Sequence, residues 1–166
     1  MQGTGHVLHG NTIMAFTRPT RNIKFKQGIF TPHHPEKYKG TTPIIARSSY
    51  ETRFMRWLDS NPSVIYWGSE TVIIPYQNPL TGRVHRYFVD FNFTLKTKTG
   101  VIKKYLVEVK PHNQTLPPKP GKNTKALLRS RAEYIKNQCK WKSAQEWCLK
   151  KSYEFCIITE KHLFSK

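Results

Sequence analysis

The sequence predicts an α/β fold of the α+β kind: a mixed sheet with helices against it, in the order helix, antiparallel strands, helix, strand. Three observations carry that expectation. Tyr50, Phe54, Trp57 and Leu58 recur at i, i+4, i+7 and i+8, one apolar helical stripe. Runs of β-branched and aromatic residues follow, separated by turn clusters. A long helical stretch then leads to a last apolar run, Phe155-Cys156-Ile157-Ile158. At 166 residues, with 37% hydrophobic and 13% aromatic content, the chain has the length of one domain and enough apolar material for one sizeable core.

In order along the chain, residues 1–43 stand apart. They hold Gly3, Gly5, Gly10, Gly28, Gly40, Pro19, Pro32, Pro35 and Pro43, and no apolar period persists. This stretch is expected to be a basic, extended arm, ordered only where it packs or meets DNA. His33-His34 lacks a partner ligand at a sensible spacing and reads as a polar loop. The folded domain spans 44–166. Its first helix begins near Ser48 and stops at Asp59-Ser60-Asn61-Pro62. Val64–Trp67 and Thr71–Tyr76 are strands, 78–82 is a hairpin turn, Val84–Leu95 is one further strand, and Val101–Lys110 is another. Together they predict an antiparallel meander. Pro111 ends the last of these strands, and a Pro- and Lys-rich loop runs from Leu116 to Thr124. The long helix covers about Lys125 to Lys151, with room for one break, and carries Tyr134, Trp141, Ala144 and Cys148 on one stripe. Glu154–Thr159 closes the sheet as a buried strand.

Charge narrows the partners. Lysine and arginine number 28 against ten acids, a formal net charge of +18. Such an excess repels itself in the compact state and points to a polyanion. Nucleic acid is the first candidate and an acidic membrane surface the second, although no apolar run is long enough to span a bilayer and no signal-peptide order is present. No small-molecule cofactor is implied. Cys139, Cys148 and Cys156 fit neither a zinc pattern nor a disulfide framework and read as reduced, mostly buried thiols in a cytosolic protein.

Among so few acids, three stand in informative places. Glu108 and Lys110 lie two apart on a strand, so their side chains share a face while Val107 and Val109 point into a core. Asp90 sits on the preceding strand, with Phe88 and Asn92 on its face and Val89, Phe91 and Phe93 opposite. Two adjacent carboxylates repel, and a divalent cation between them removes that cost; hard oxygen ligands suit Mg²⁺ or Mn²⁺. Asp90 and Glu108, with the Val109 carbonyl, are the expected ligands, and Lys110 is placed to orient a water or to neutralise charge developing on a phosphate. Glu51 can reach the same point from the first helix. Each residue also has a plainer reading. Ser48-x-x-Glu51 is a capping box, Asp90 can pair with Lys104 or Arg86, and alternating charge on a strand is often an exposed face. The series of acid-bearing helix, Asp-bearing strand and Glu-x-Lys strand, in that order, favours a metal-dependent nuclease with Glu51, Asp90, Glu108 and Lys110 as its catalytic set.

Backbone contacts to DNA are expected from three basic clusters. Arg47, Arg53 and Arg56 flank the first helix. Lys96, Lys98, Lys103 and Lys104 surround the 96–100 turn. Lys119, Lys122, Lys125, Arg129 and Arg131 lead into the long helix. Gln114 is a candidate for substrate positioning. No recognition-helix signature is present, so little base specificity is expected.

The order of these elements resembles the PD-(D/E)xK nuclease superfamily. A closer likeness, over about 37–163, is to the head completion nucleases of T4-like phages. It is carried by Tyr38-Lys39-Gly40, by Arg47-Ser48-Ser49-Tyr50-Glu51-Thr52-Arg53-Phe54-Met55 and by Asn61-Pro62-Ser63-Val64-Ile65-Tyr66-Trp67-Gly68-Ser69-Glu70. His85-Arg86-Tyr87-Phe88-Val89-Asp90-Phe91, Val107-Glu108-Val109-Lys110-Pro111, the Trp141-Lys142-x-Ala144 helix and Ile158-Thr159-Glu160-Lys161-His162-Leu163 complete it. The superfamily's proline before the aspartate is Val89 here. The resemblance implies a restriction-endonuclease-like core and the catalytic roles of Glu51, Asp90, Glu108 and Lys110, with Glu70 in support. It also implies action on double-stranded DNA when a filled capsid is completed and joined to the tail, with portal or other head and neck proteins as partners. The expected location is the host cytoplasm during assembly, and then the virion. Two other readings stay open: a neck or head-closure protein that grips DNA without cutting it, and a resolvase- or transposase-like endonuclease subunit.

Overall fold

The computed structural model describes residues 27–164. In chain order its elements are β1 (Gly28–Phe30), β2 (Ile44–Ala46), α1 (Ser49–Ser60), β3 (Val64–Ser69), β4 (Ile73–Gln77), β5 (Val84–Phe88), β6 (Phe91–Lys96), β7 (Ile102–Val109), α2 (Lys125–Lys151), β8 (Glu154–Ile158) and α3 (Glu160–Leu163). Short 3-10 turns lie at Pro35–Lys37 and His112–Gln114. The central sheet has the order β3-β6-β7-β8; β7 runs antiparallel to β6 and parallel to β8. The expected mixed sheet with helices against it is present.

α1 forms where its stripe and cap predict. Ser48 is extended, and its hydroxyl accepts the Glu51 N–H; Asn61 closes the last turn through its N–H to the Trp57 carbonyl. Phe54, Met55 and Leu58 are buried against one face of the sheet, where Val64, Trp67, Phe91, Phe93, Val107 and Ile158 complete a core. The Phe54 ring meets Phe91 edge-on at 5.3 Å between centroids. α2 covers the opposite face with Trp141, Ala144 and Cys148, which pack with Leu106, Val89, Ile74, Tyr76 and Tyr87. It is a single unbroken helix of 27 residues.

The meander does not form as expected. β4 and β5 make a separate two-stranded ribbon, and β3 pairs with β6 instead of β4. The expected strand Val84–Leu95 is therefore two strands, broken at Val89–Asp90. The backbone changes partner there: the Val89 N–H still bonds the Val72 carbonyl, whereas the Asp90 carbonyl already accepts the Glu70 N–H. The side chains change sides with it. Tyr87 and Val89 belong to the core under α2, and Phe91 and Phe93 to the core under α1, so the expectation that Val89 shares a face with Phe91 and Phe93 fails.

Part of the stretch expected to be an extended arm, ordered where it packs, is built into the fold. β1 pairs antiparallel with β2 from Gly28↔Ala46 to Phe30↔Ile44. The N–H groups of His33 and His34 donate to the buried Asp59 carboxylate at 2.7 and 3.0 Å, and the Lys37 ammonium bonds the carbonyls of Asp59 and Asn61. The two histidines thus serve the fold through their backbone. The part of the arm over residues 1–26 lies outside the described residues.

Candidate active site

The C-terminal end of β7 brings together the residues picked out from the sequence. Glu108 lies on the α2 side of the sheet beside Leu106 and is 2% exposed. The Lys110 ammonium stands 3.1 Å from Glu108 Oε1. Across the β6–β7 pair, Asp90 Oδ2 accepts the Val109 N–H at 2.8 Å. Asp90 and the Glu108–Lys110 pair therefore bracket one residue, Val109, whose own side chain is in the core on the other face. The period-2 expectation for Glu108 and Lys110 against Val107 and Val109 agrees with this geometry.

Glu51 approaches from the first turn of α1. Its carboxylate accepts the Arg47 N–H at 2.8 Å and the Ser48 hydroxyl at 3.1 Å, so it also finishes the helix start. Glu70, at the end of β3, ties these parts together. Its carboxylate holds the Arg47 guanidinium through two bonds, 3.0 and 2.9 Å, while its N–H bonds the Asp90 carbonyl. Its backbone is left-handed, φ +53°, a conformation that costs a non-glycine residue stability.

The electrostatics follow from burial and from like charges in company. Burial and then the Glu108 charge hold the Asp90 carboxyl well above the ordinary aspartate range; Lys110 and the Val109 N–H oppose them. Burial also raises Glu51, against the Arg47 N–H, the Ser48 hydroxyl and the charge of Lys110. Burial alone would lower Lys110, yet Glu108 and Asp90 keep its ammonium above the usual lysine value. Three carboxyl groups thus stand near one ammonium, and burial opposes the charged form of two of them, Asp90 and Glu51.

Two residues at this centre have no signal in the sequence. The buried Tyr87 hydroxyl donates to Glu108 Oε2 at 2.6 Å. Lys140, from α2, lies 5.3 Å over the Tyr87 ring and 5.7 Å over Tyr76; burial lowers its ammonium, and the Glu108 charge opposes that. Neither spacing nor period links a tyrosine or a helix lysine to a carboxylate on another element.

The donor set suits a hard divalent cation. Among the described residues no group of three or more His, Cys, Asp and Glu side chains converges as a cage. Asp90 and Glu108 with a backbone carbonyl match the sparse protein ligation that Mg²⁺ accepts, where waters and substrate phosphates fill the remaining positions.

The basic clusters are dispersed. Lys96, Lys98 and Lys104 are exposed at the opposite end of β7; Lys104 stands four residues from Glu108, about 13 Å along a strand. Lys103 pairs with Glu154. Lys119, Lys122, Lys125 and Arg129 are exposed on the loop before α2 and on its first turns, and Arg131 bonds Asn123. Arg56 is exposed on α1, Arg47 is held by Glu70, and Arg53 donates to the Leu163 carbonyl and lies over Phe164. Gln114 is exposed in the 3-10 turn just beyond Lys110. A groove of about 760 Å³ between β1 and α1, lined by Phe30, His33, Arg56 and Asp59 among others, contains none of the catalytic candidates.

No helix among the described residues is long and apolar enough to cross a membrane. No solved structure matches the chain. The head completion nuclease of Enterobacteria phage T4 is 37% identical over 142 residues, covering 82% of this chain and 92% of that protein. The profile of the TnsA-like endonuclease N-terminal family matches residues 61–160, the span that holds β3 to β8 with Asp90, Glu108 and Lys110. The chain belongs to the TnsA-like endonuclease family, as a nuclease with a restriction-endonuclease-like fold.

Proposed function

We propose that this protein is a metal-dependent deoxyribonuclease that hydrolyses phosphodiester bonds during phage head completion, trimming or processing packaged double-stranded DNA before the head joins the tail. The observation that carries the reading is the convergence of Asp90 and Glu108 on either side of Val109, with the Lys110 ammonium 3.1 Å from Glu108. Asp90, Glu108 and the Val109 carbonyl would hold Mg²⁺ or Mn²⁺. When bound, such a cation polarises the scissile phosphodiester and makes a water acidic enough to attack it. Glu108 fixes Lys110 beside that point, and the ammonium balances the charge that develops on the phosphate. Glu51 contributes its charge from the start of α1. Glu70 is a supporting residue, because it anchors both Arg47 and the Asp90 backbone.

DNA is held through its phosphates by Arg56, Lys119, Lys122, Lys125 and Arg129, with Lys96, Lys98 and Lys104 further along the duplex. Arg47, just before α1, and Gln114, just beyond β7, act closer to the cut, and Arg53, whose guanidinium bonds the Leu163 carbonyl, is the remaining candidate on α1. The head completion role rests on the likeness to the T4 protein. It implies portal or other head and neck proteins as partners, in the host cytoplasm during assembly and then in the virion.

The test is incubation of supercoiled plasmid with the full chain and Mg²⁺ or Mn²⁺. Nicking that disappears in Asp90→Asn while DNA binding survives supports the reading. No cleavage of plasmid, linear or branched DNA with either metal refutes it.

A further inference from the structure

We infer that Tyr87 is a positioning residue for Glu108, its hydroxyl committing one carboxylate oxygen so that the other faces Lys110 and the divalent cation. The inference rests on the reading of Glu108 as a cation ligand and assigns that ligand its outer partner.

A glutamate has three side-chain torsions, and Glu108 is the longer of the two carboxylates. Something must select one of its conformers. Asp90 is anchored by the Val109 N–H. For Glu108 the anchor is the phenol, 2.6 Å from Oε2, a distance at which the bond is charge-assisted. Tyr87 cannot follow a moving carboxylate. It is 2% exposed, meets the Tyr76 ring edge-on at 6.5 Å and carries Lys140 on its face at 5.3 Å. Oε1 is left 3.1 Å from Lys110. The ribbon β4–β5, which shares no strand pairing with the central sheet, thereby acts on the catalytic strand through one hydroxyl.

Two measurements on the full chain test this: Mn²⁺ affinity by calorimetry in the absence of DNA, and kcat and KM on plasmid. Loss of an outer-shell partner typically costs 10–100-fold in metal affinity or activity. Tyr87→Phe is therefore expected to weaken Mn²⁺ binding by about 10-fold or more and to lower kcat, with KM for DNA unchanged. A folded Tyr87→Phe protein with wild-type Mn²⁺ affinity overturns the inference, since a tyrosine that serves packing alone leaves that affinity untouched. If Tyr87→Phe does not fold, the double variant Tyr87→Phe/Glu108→Gln decides. Folding restored by removing the carboxylate's charge means the hydroxyl serves Glu108; continued failure means the hydroxyl is needed for folding independently of that carboxylate, which overturns the inference. Wild-type Mn²⁺ binding by Glu108→Gln alone would remove the ligand itself, overturning the proposed function and this inference together.

Discussion

Lys110→Ala separates the electrostatic role of the lysine from its structural one. The ammonium lies 3.1 Å from a carboxylate whose side chain is 3% exposed, and its own side chain is 27% exposed. At an effective dielectric of about 20, two unit charges at that distance attract by about 5 kcal/mol. Desolvation of both groups offsets much of this. Breaking a fully buried pair costs roughly 3–5 kcal/mol, and an exposed pair contributes under about 1 kcal/mol. Lys110 stands between those limits, and the Tyr87 hydroxyl still holds one Glu108 oxygen. We expect Lys110→Ala to lose about 2 kcal/mol in urea unfolding without metal. The same variant should bind Mn²⁺ at least as tightly as wild type, because the competing cation is gone, and Mn²⁺ should restore most of the lost stability. Cleavage should fall by a factor of about 100 or more, the usual loss when a charge-stabilising donor is removed. A Lys110→Ala protein with wild-type metal-free stability and wild-type plasmid nicking would refute both the pair and the role given to it.

Asp90→Asn and Glu108→Gln should each abolish Mg²⁺-dependent nicking while leaving the circular-dichroism spectrum in place; a wild-type rate in either would remove that carboxylate from the chemistry. Val107→Asp puts an unpaired charge at a fully buried position and should leave no cooperative melting transition; a wild-type melt would mean that β7 is not central. DNA affinity should fall with salt at a log–log slope of about 0.9 per phosphate neutralised, and Lys122→Glu with Arg129→Glu should flatten it by about 2. A flat wild-type response would exclude nucleic acid as the partner of the basic surface. Burial pushes the Cys148 and Cys156 thiols up to about 12, against an ordinary value of 9.0. Between those values the unfolded chain has lost thiol protons that the native protein keeps. Stability should therefore decline as pH rises through that window, by about 1.4 kcal/mol per pH unit for each thiol. Cys148→Ala/Cys156→Ala should show a shallower alkaline decline, and an unchanged slope would show that the thiols do not titrate this way.

What could be foreseen depended on whether the signal was local. α1 was legible because its stripe and its Ser48 cap lie within a few residues of each other, and β8 because four apolar residues run together. The pairing of Glu108 with Lys110 followed from strand geometry alone. The break at Val89–Asp90 was hidden because odd positions stay aromatic or aliphatic throughout, Tyr87, Val89, Phe91 and Phe93, even though the first two face α2 and the last two face α1. A period-2 pattern records alternation, not which layer lies opposite. β1 and β2 escaped notice because three-residue strands among glycines and prolines carry no period. Tyr87 and Lys140 could not be found, since their contacts join elements that only the folded chain brings close.

The parallel pairing of β7 with β8 has a consequence for synthesis. The Lys110 N–H bonds the Ile158 carbonyl, and between the two strands lies the whole of α2. A ribosome releases the acids and the lysine well before the strand that flanks them on that side. Until then the parallel pairing of β7 with β8 is missing. Long loops between partners slow such closure. A half-made copy therefore carries Asp90, Glu108 and Lys110 without the strand that flanks them.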